Sequence, residues 1–327
     1  MEFNLTQDHL ISSWIGNVDK PLVSILCDTF NHENYIEQAI LGFLSQKTNF
    51  PIEIIIHDDA STDETVKIIK EYENKFPLII KPIYQKENKY SNKNFSIWSD
   101  FTFPKAKGEF IALCEGDDYW TDELKIQKQV DYLKLHNNLS IVWTDYVLLE
   151  GNTFSKNEFS SKLPKELFID FNNLFNPYCT LTLTSLFRKS AVNIKDYKKL
   201  EYCKDNSLYA LALQNGNGTF LNFESAVHRK HPGGVYSLRP AFFQRYSSYL
   251  NVKEIFEKIL DAKTKNIKFV VDTLLKEAAF EALKLYVNNE KLNSQHRIAI
   301  KNYLLSVRFK MKYRFLKQLI LKKLISK

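Results

Sequence analysis

The sequence predicts an α/β protein: a mostly parallel sheet with helices on both faces, followed by a helical C-terminal region. Three observations predict it. Short β-branched runs alternate with stretches of helical periodicity. The runs are apolar throughout rather than every second residue, as strands covered on both faces are. Clusters of Asp, Asn and Thr follow the runs, where ligands gather in such sheets.

The elements follow in order. Val23 to Cys27 is a first strand, ending at Asp28-Thr29-Phe30-Asn31, and Ile36, Ala39, Ile40, Phe43 and Leu44 are spaced as one helical face. Ile52 to Ile56 is a second strand, closed by His57-Asp58-Asp59-Ala60-Ser61. Ser61 and Glu64 have capping-box spacing and predict a helix through Val66, Ile69 and Tyr72, which Pro77 stops. Leu78 to Tyr84 reads as a third strand, and Phe95, Trp98 and Phe101 as a helical face. Phe110 to Cys114 is a fourth strand, ending at Glu115-Gly116-Asp117-Asp118. Thr121 is placed to cap a helix through Leu124, Gln127, Val130 and Leu133, and Ile141 to Leu149 is strand-like. Beyond residue 150 the alternation weakens. Thr180 to Phe187 is β-rich, Tyr202 to Gln214 helical, Thr219 to His228 strand-like, and 241–327 helical. The expected division is a catalytic domain over 1–240 and a helical region over 241–327.

Composition is that of an ordinary globular chain, 44% hydrophobic and 25% charged. The net charge of +7 is a property of the tail: residues 291–327 hold eleven Lys and Arg and no acidic residue. Without them the body carries a small negative charge, which argues against a nucleic-acid partner. The four cysteines are far apart with no C-x-x-C pair, so reduced, buried thiols are expected. An N-terminus without an apolar leader, and no bilayer-length apolar run, predict a cytoplasmic protein.

Three polar strand ends, at Thr29-Phe30-Asn31, Asp58-Asp59 and Asp117-Asp118, fall on one sheet edge. Glu115 and Asp117 project to the same side of an extended segment, with Asp118 at the turn, and hard divalent cations choose carboxylates. Taken alone, the segment reads equally as a solvated acidic turn. Asp58-Asp59 alone reads as an Asx-turn, and Asp205 alone as a helix N-terminal residue.

The order Val-Ser-Ile-x-x-x-Thr-Phe-Asn (23–31), Ile-Ile-Ile-His-Asp-Asp-Ala-Ser (54–61) and Gly-Glu-Phe-Ile-Ala-Leu-Cys-Glu-Gly-Asp-Asp-Tyr-Trp (108–120) resembles the family 2 glycosyltransferases of the Rossmann-like GT-A fold. The likeness continues through Thr184–Ser190, Lys204–Ala210 and His231–Ser237, and so covers roughly 21–240. It implies an inverting hexosyl- or N-acetylhexosaminyl-transferase that uses Mn2+ or Mg2+ and a nucleotide-sugar donor, a UDP-sugar favoured. The acceptor would be a glycan or lipid-linked hydroxyl in cell-surface polysaccharide or lipopolysaccharide assembly. Position by position, Thr29, Phe30 and Asn31 match the nucleoside loop and Asp59 the base-contacting carboxylate. Lys93 lies where a basic residue near the donor is common. Glu115, Asp117 and Asp118 match the metal- and ribose-binding motif, Asp205 the general base, and His231 a histidine near the diphosphate or metal. Ala60 stands where a Gly is usual, and Glu115 where an Asp is usual. His57 and His228 have no such support and read as structural.

Leu305, Phe309, Tyr313, Leu316, Ile320 and Leu324 form one apolar stripe in the basic tail. It suits either an anionic membrane surface or packing on the body. The rival functions are a nucleotidyltransferase, whose Gly-rich phosphate loop is absent here, and a non-catalytic sugar-nucleotide-binding protein.

Overall fold

The computed structural model describes residues 5–90, 96–176, 178–234, 239–288 and 290–306. In chain order its elements are α1 (Gln7–Ser12), β1 (Val23–Thr29), α2 (Ile36–Leu44), β2 (Ile52–Asp58), α3 (Thr65–Lys75), β3 (Ile80–Tyr84), β4 (Phe110–Leu113), β5 (Tyr119–Trp120), α4 (Lys125–Leu135), β6 (Leu139–Glu150), β7 (Thr153–Lys156), β8 (Glu166–Ile169), β9 (Leu186–Arg188), α5 (Ile194–Tyr197), α6 (Asp205–Gln214), β10 (Asn217–Lys230), α7 (Ala241–Lys258), α8 (Lys265–Val287) and α9 (Ser294–Ser306). They fall into two compact units, 1–199 with 211–231, and 200–210 with 232–327.

The first unit is built on a sheet of order β3-β2-β1-β4-β9-β6-β10-β5, with β7 and β8 pairing onto β6 and β10. The half from β3 to β4 is parallel. β9 then inserts antiparallel between β4 and β6, and β10 runs parallel to β6. The predicted β-rich stretch at 180–187 supplies only the start of β9, after a short 3-10 turn at Thr182–Thr184.

Both faces of the parallel half are covered, which is why its strands are mostly apolar on both faces. Val23, Ile25 and Cys27, with Ile52, Ile54 and Ile56, pack with Ile36, Ile40 and Phe43 of α2, Ile69 of α3 and Val130 of α4. The opposite face carries Ser24, Leu26, Glu53 and Ile55. Against it lies the segment where a helix was predicted, which is a π-turn at Trp98–Thr102 and a 3-10 turn at Phe103–Lys105. The chain is fixed there because Glu53 accepts from the Ser24 hydroxyl (2.5 Å) and the Lys107 N–H (2.6 Å).

The second unit is helical. α8 packs on α7 and α9 through Val271, Leu275, Ala278, Ala279 and Ala282. Thr264 caps α8 by accepting from the Ile267 N–H at 3.1 Å. Of the predicted apolar tail stripe only Leu305 lies within the described residues, and it is exposed. No helix among the described residues is long and apolar enough to cross a membrane.

Candidate functional site

The site begins where β1 and β2 end side by side, Thr29 paired with Asp58. Beyond them the chain makes two left-handed turns, at Asn31 (φ 53°) and Ala60 (φ 65°). The two loops then zip together. The Asn31 N–H donates to the Ser61 hydroxyl (2.9 Å), and the Thr62 N–H to Asn31 Oδ1 (2.8 Å). The His32 N–H donates to Thr65 Oγ1 (2.8 Å), the Glu33 N–H to Asp63 (3.1 Å) and the Glu64 N–H to Glu33 (3.0 Å). Ser61 is thereby spent on the neighbouring loop, and the predicted capping box does not form: α3 starts at Thr65 with no side-chain cap. Thr121 likewise caps nothing; its N–H joins Ser225, while Asp122 accepts from Leu124 at the start of α4.

Asp59 is buried beside this edge. Its two oxygens accept the N–H groups of Lys89 (2.7 Å) and Tyr90 (2.9 Å), so it folds the segment after β3 over the strand ends. Phe30 is partly exposed at the tip of the first loop. Lys93 lies outside the described residues. Asp28, half-buried with one buried oxygen unpartnered, has its pKa pushed up to about 7 by desolvation and by the charge of Asp59.

β4 delivers the acidic segment to the same edge. The N–H groups of Cys114 and Gly116 donate to Leu26 O and Asp28 O, at 3.2 and 3.0 Å, continuing the ladder past the strand. Position 116 must be glycine for this approach: a Cβ there would lie 2.7 Å from Thr29 Oγ1 and 2.8 Å from Thr29 Cβ. Asp117 and Asp118 then meet the end of β10, which the pairing of β5 with β10 brings alongside. His231 Nε2 is 3.0 Å and His32 Nε2 3.8 Å from Asp117 Oδ2. Asp118 accepts the Arg229 N–H (2.7 Å) and pairs with His228 Nδ1 (3.2 Å). Arg229 bonds the Asp117 carbonyl and Gln38, its guanidinium between the rings of Tyr35 and Tyr119.

The electrostatics separate the two aspartates. Burial pushes Asp117 up, but the hydrogen bond from His231 and the neighbouring His32 outweigh it, and its pKa is lowered. Burial dominates at Asp118 and raises it, against the pull of His228. His228 itself is raised, the loss from burial being overcome by Asp118. His32 is lowered by burial, partly offset by Asp117. A neutral imidazole beside an ionised carboxylate is what a cation site requires.

Among the described residues, His32, Asp117 and His231 form a group whose ligand atoms lie within 4.8 Å of one another. This donor set fits a divalent metal. Asp118 and Glu115 are not members of it, and Asp118's two oxygens are engaged by β10. His228, read from sequence as structural, is thus a direct partner of Asp118. His32 and Arg229 were not singled out by sequence reasoning; for His32 the available signal was its place directly after the nucleoside loop. Asp205, in the second unit, is the exposed first residue of α6. In that unit the Lys204 ammonium bonds Ser247 (3.0 Å) and Ser248 (3.2 Å), and Asn251 holds Ser207 (2.7 Å).

Carboxylates and imidazoles are thus gathered at the carboxyl ends of the parallel strands, where ligands of such sheets bind. Residues 24–195, more than half of the chain, match the glycosyl transferase family 2 profile, and the chain belongs to that family. It is 46% identical over 119 residues to an uncharacterised protein of Mycobacterium tuberculosis, a match covering 36% of this chain and 33% of that one. It is 31% identical over 130 residues to a Bacillus subtilis protein named as a teichuronic acid biosynthesis glycosyltransferase, TuaG, covering 40% and 48%. The chain thus spans about a third of the one relative and half of the other. The 1–349 fragment of S. aureus TarS, solved with UDP-GlcNAc, superposes with a TM-score of 0.64 over 88% of this chain and 81% of that one. At 19% identity that likeness speaks for the fold.

Proposed function

We propose that this glycosyltransferase moves a sugar from a nucleoside diphosphate donor, a UDP-sugar first among candidates, to a hydroxyl of a cell-surface polysaccharide or its lipid-linked precursor. The observation that carries the reading is the cluster of Asp117, His231 and His32 on the edge where Thr29–Asn31 and Asp59 lie. The relatives support the substrate class: TuaG by its name, and TarS by the UDP-GlcNAc in its structure.

In this reading Thr29, Phe30 and Asn31 receive the nucleoside, and Asp59 reads the base edge or shapes the loop that does. Asp117 and His231 hold a divalent cation, which would neutralise the diphosphate as it leaves. Asp118 fixes the loop through His228 and Arg229. Glu115 borders this segment as a secondary candidate ligand. Asp205 takes the proton of the acceptor hydroxyl while the new bond forms, giving inversion in a single displacement. Without that proton transfer the hydroxyl, with its very high pKa, is a poor nucleophile.

The test is a panel of nucleotide sugars incubated with the protein and Mn2+, with phosphorus NMR of the products. Nucleoside diphosphate release from one donor supports the proposal. Conversion of the nucleotide sugar to nucleoside triphosphate and sugar 1-phosphate on adding pyrophosphate would instead mark a nucleotidyltransferase, and binding without release a sugar-nucleotide-binding protein.

A further inference from the structure

The proposed function assigns Asp117 and His231 to the cation, and the geometry points to a third protein ligand. We infer that His32 coordinates the cation, so that two imidazoles and one carboxylate hold it and select a transition-metal ion over Mg2+. The inference rests on the reading of this edge as a cation site.

The placement of His32 is built, not incidental. Its backbone N–H is fixed by Thr65 Oγ1 at 2.8 Å, and its carbonyl accepts from Tyr35 and Ile36 at the start of α2. Its ring Nδ1 lies 3.1 Å from Thr29 Oγ1. If Nδ1–H donates to that hydroxyl, the lone pair of Nε2 is left facing Asp117 Oδ2, at 3.8 Å. A hydrogen bond to the far ring nitrogen is the usual way a protein fixes the tautomer and orientation of a ligating histidine. His231 approaches the same oxygen at 3.0 Å, its ring edge-on to that of His32 at 6.2 Å between centroids. Tyr35, 4.6 Å from His231, walls the pair on one side. Ligand atoms around an ion with bonds of about 2.1 Å lie at most about 4.2 Å apart. The three ligand atoms already lie within 4.8 Å of one another, near that range, and side-chain adjustment would close the gap.

The donor chemistry sets the preference. Mg2+ demands oxygen ligands and keeps its waters, whereas imidazole nitrogen suits first-row transition ions. Three protein ligands leave further positions for phosphate oxygens, as a donor site needs.

The experiment is Mn2+ binding to the full chain by electron paramagnetic resonance, with Mg2+ as competitor, on wild type, His32→Ala, His32→Asp and Asp117→Asn, each checked for native circular dichroism. The expected result is a Mn2+ affinity reduced on the order of tenfold or more in His32→Ala. His32→Asp, which replaces nitrogen with oxygen, should move the Mn2+/Mg2+ preference toward Mg2+. Wild-type Mn2+ affinity and metal preference in both His32 variants, with binding lost in Asp117→Asn, would overturn the role of His32 alone. Absence of Mn2+ binding by wild type, or unchanged binding in Asp117→Asn, would overturn the cation reading on which it rests.

Discussion

Ala60 occupies a backbone conformation, φ 65°, in which its Cβ crowds the carbonyl oxygen. The turn is kept because both sides of it are tied down. Asp58 accepts the Ser61 N–H at 3.1 Å, and Asp59 holds the segment after β3. Ala60→Gly should therefore stabilise the protein. The relief of about 1–2 kcal/mol exceeds the greater unfolded-state freedom of glycine, about 0.4–1 kcal/mol. A rise in the urea midpoint at unchanged slope is the expected result. A fall would mean that the loop does not hold this turn. The family likeness marked position 60 as a departure from a usual glycine, and the left-handed turn is the physical reason for that preference. His32 and His228 were not legible in the same way. His228 matters because β5 pairs with β10, which brings it to an aspartate 110 positions away, and periodicity carries no such information.

Among the elements, α4 carries an unusual burden. Lys125, its first residue, is fully buried, bonded to Gln129 at 2.9 Å and lying 4.2 Å over the Trp120 ring. Gln129 in turn bonds Thr184 O, and Trp120 bonds Leu183 O, both at 2.8 Å. Burial lowers the lysine pKa from 10.5 to about 7. Between those values the unfolded chain holds the proton and the folded one does not, so stability rises with pH across about 7 to 10.5. Below pH 7 both states are protonated and the cost of the buried charge is fully present. Lys125→Met should flatten this dependence and raise the melting temperature most below pH 7. Equal pH slopes in calorimetric scans of the two proteins would contradict it. The helix body was legible from Val130 and Leu133, but its start was not. Thr121 is drawn to Ser225 by the sheet, just as Ser61 is drawn to Asn31, and tertiary partners outbid local capping. The antiparallel β9 was hidden for a related reason. It is only three residues long, and its direction is set by its neighbours β4 and β6 rather than by its own pattern.

At the scale of the whole molecule, the parallel half of the sheet was readable because burial on both faces leaves an unbroken apolar run, as in Phe110 to Cys114. Its polar edge was readable because each run ends in residues that no core would accept. The family likeness added Asp205, which spacing alone would leave as a helix-terminal residue. If Asp205 serves the acceptor rather than the donor, Asp205→Asn should abolish transfer while leaving calorimetric donor binding within about twofold. Loss of donor binding in that variant would reject the base assignment. The central claim is narrower: the edge gathered around Asp117 binds a nucleoside diphosphate through a metal. It is tested most directly by titrating UDP into the protein, with and without Mn2+, for wild type and Asp117→Asn. The account predicts binding by wild type that strengthens at least tenfold with Mn2+ and loses that gain in Asp117→Asn. Binding that is equally tight without metal and unchanged in the variant would contradict it.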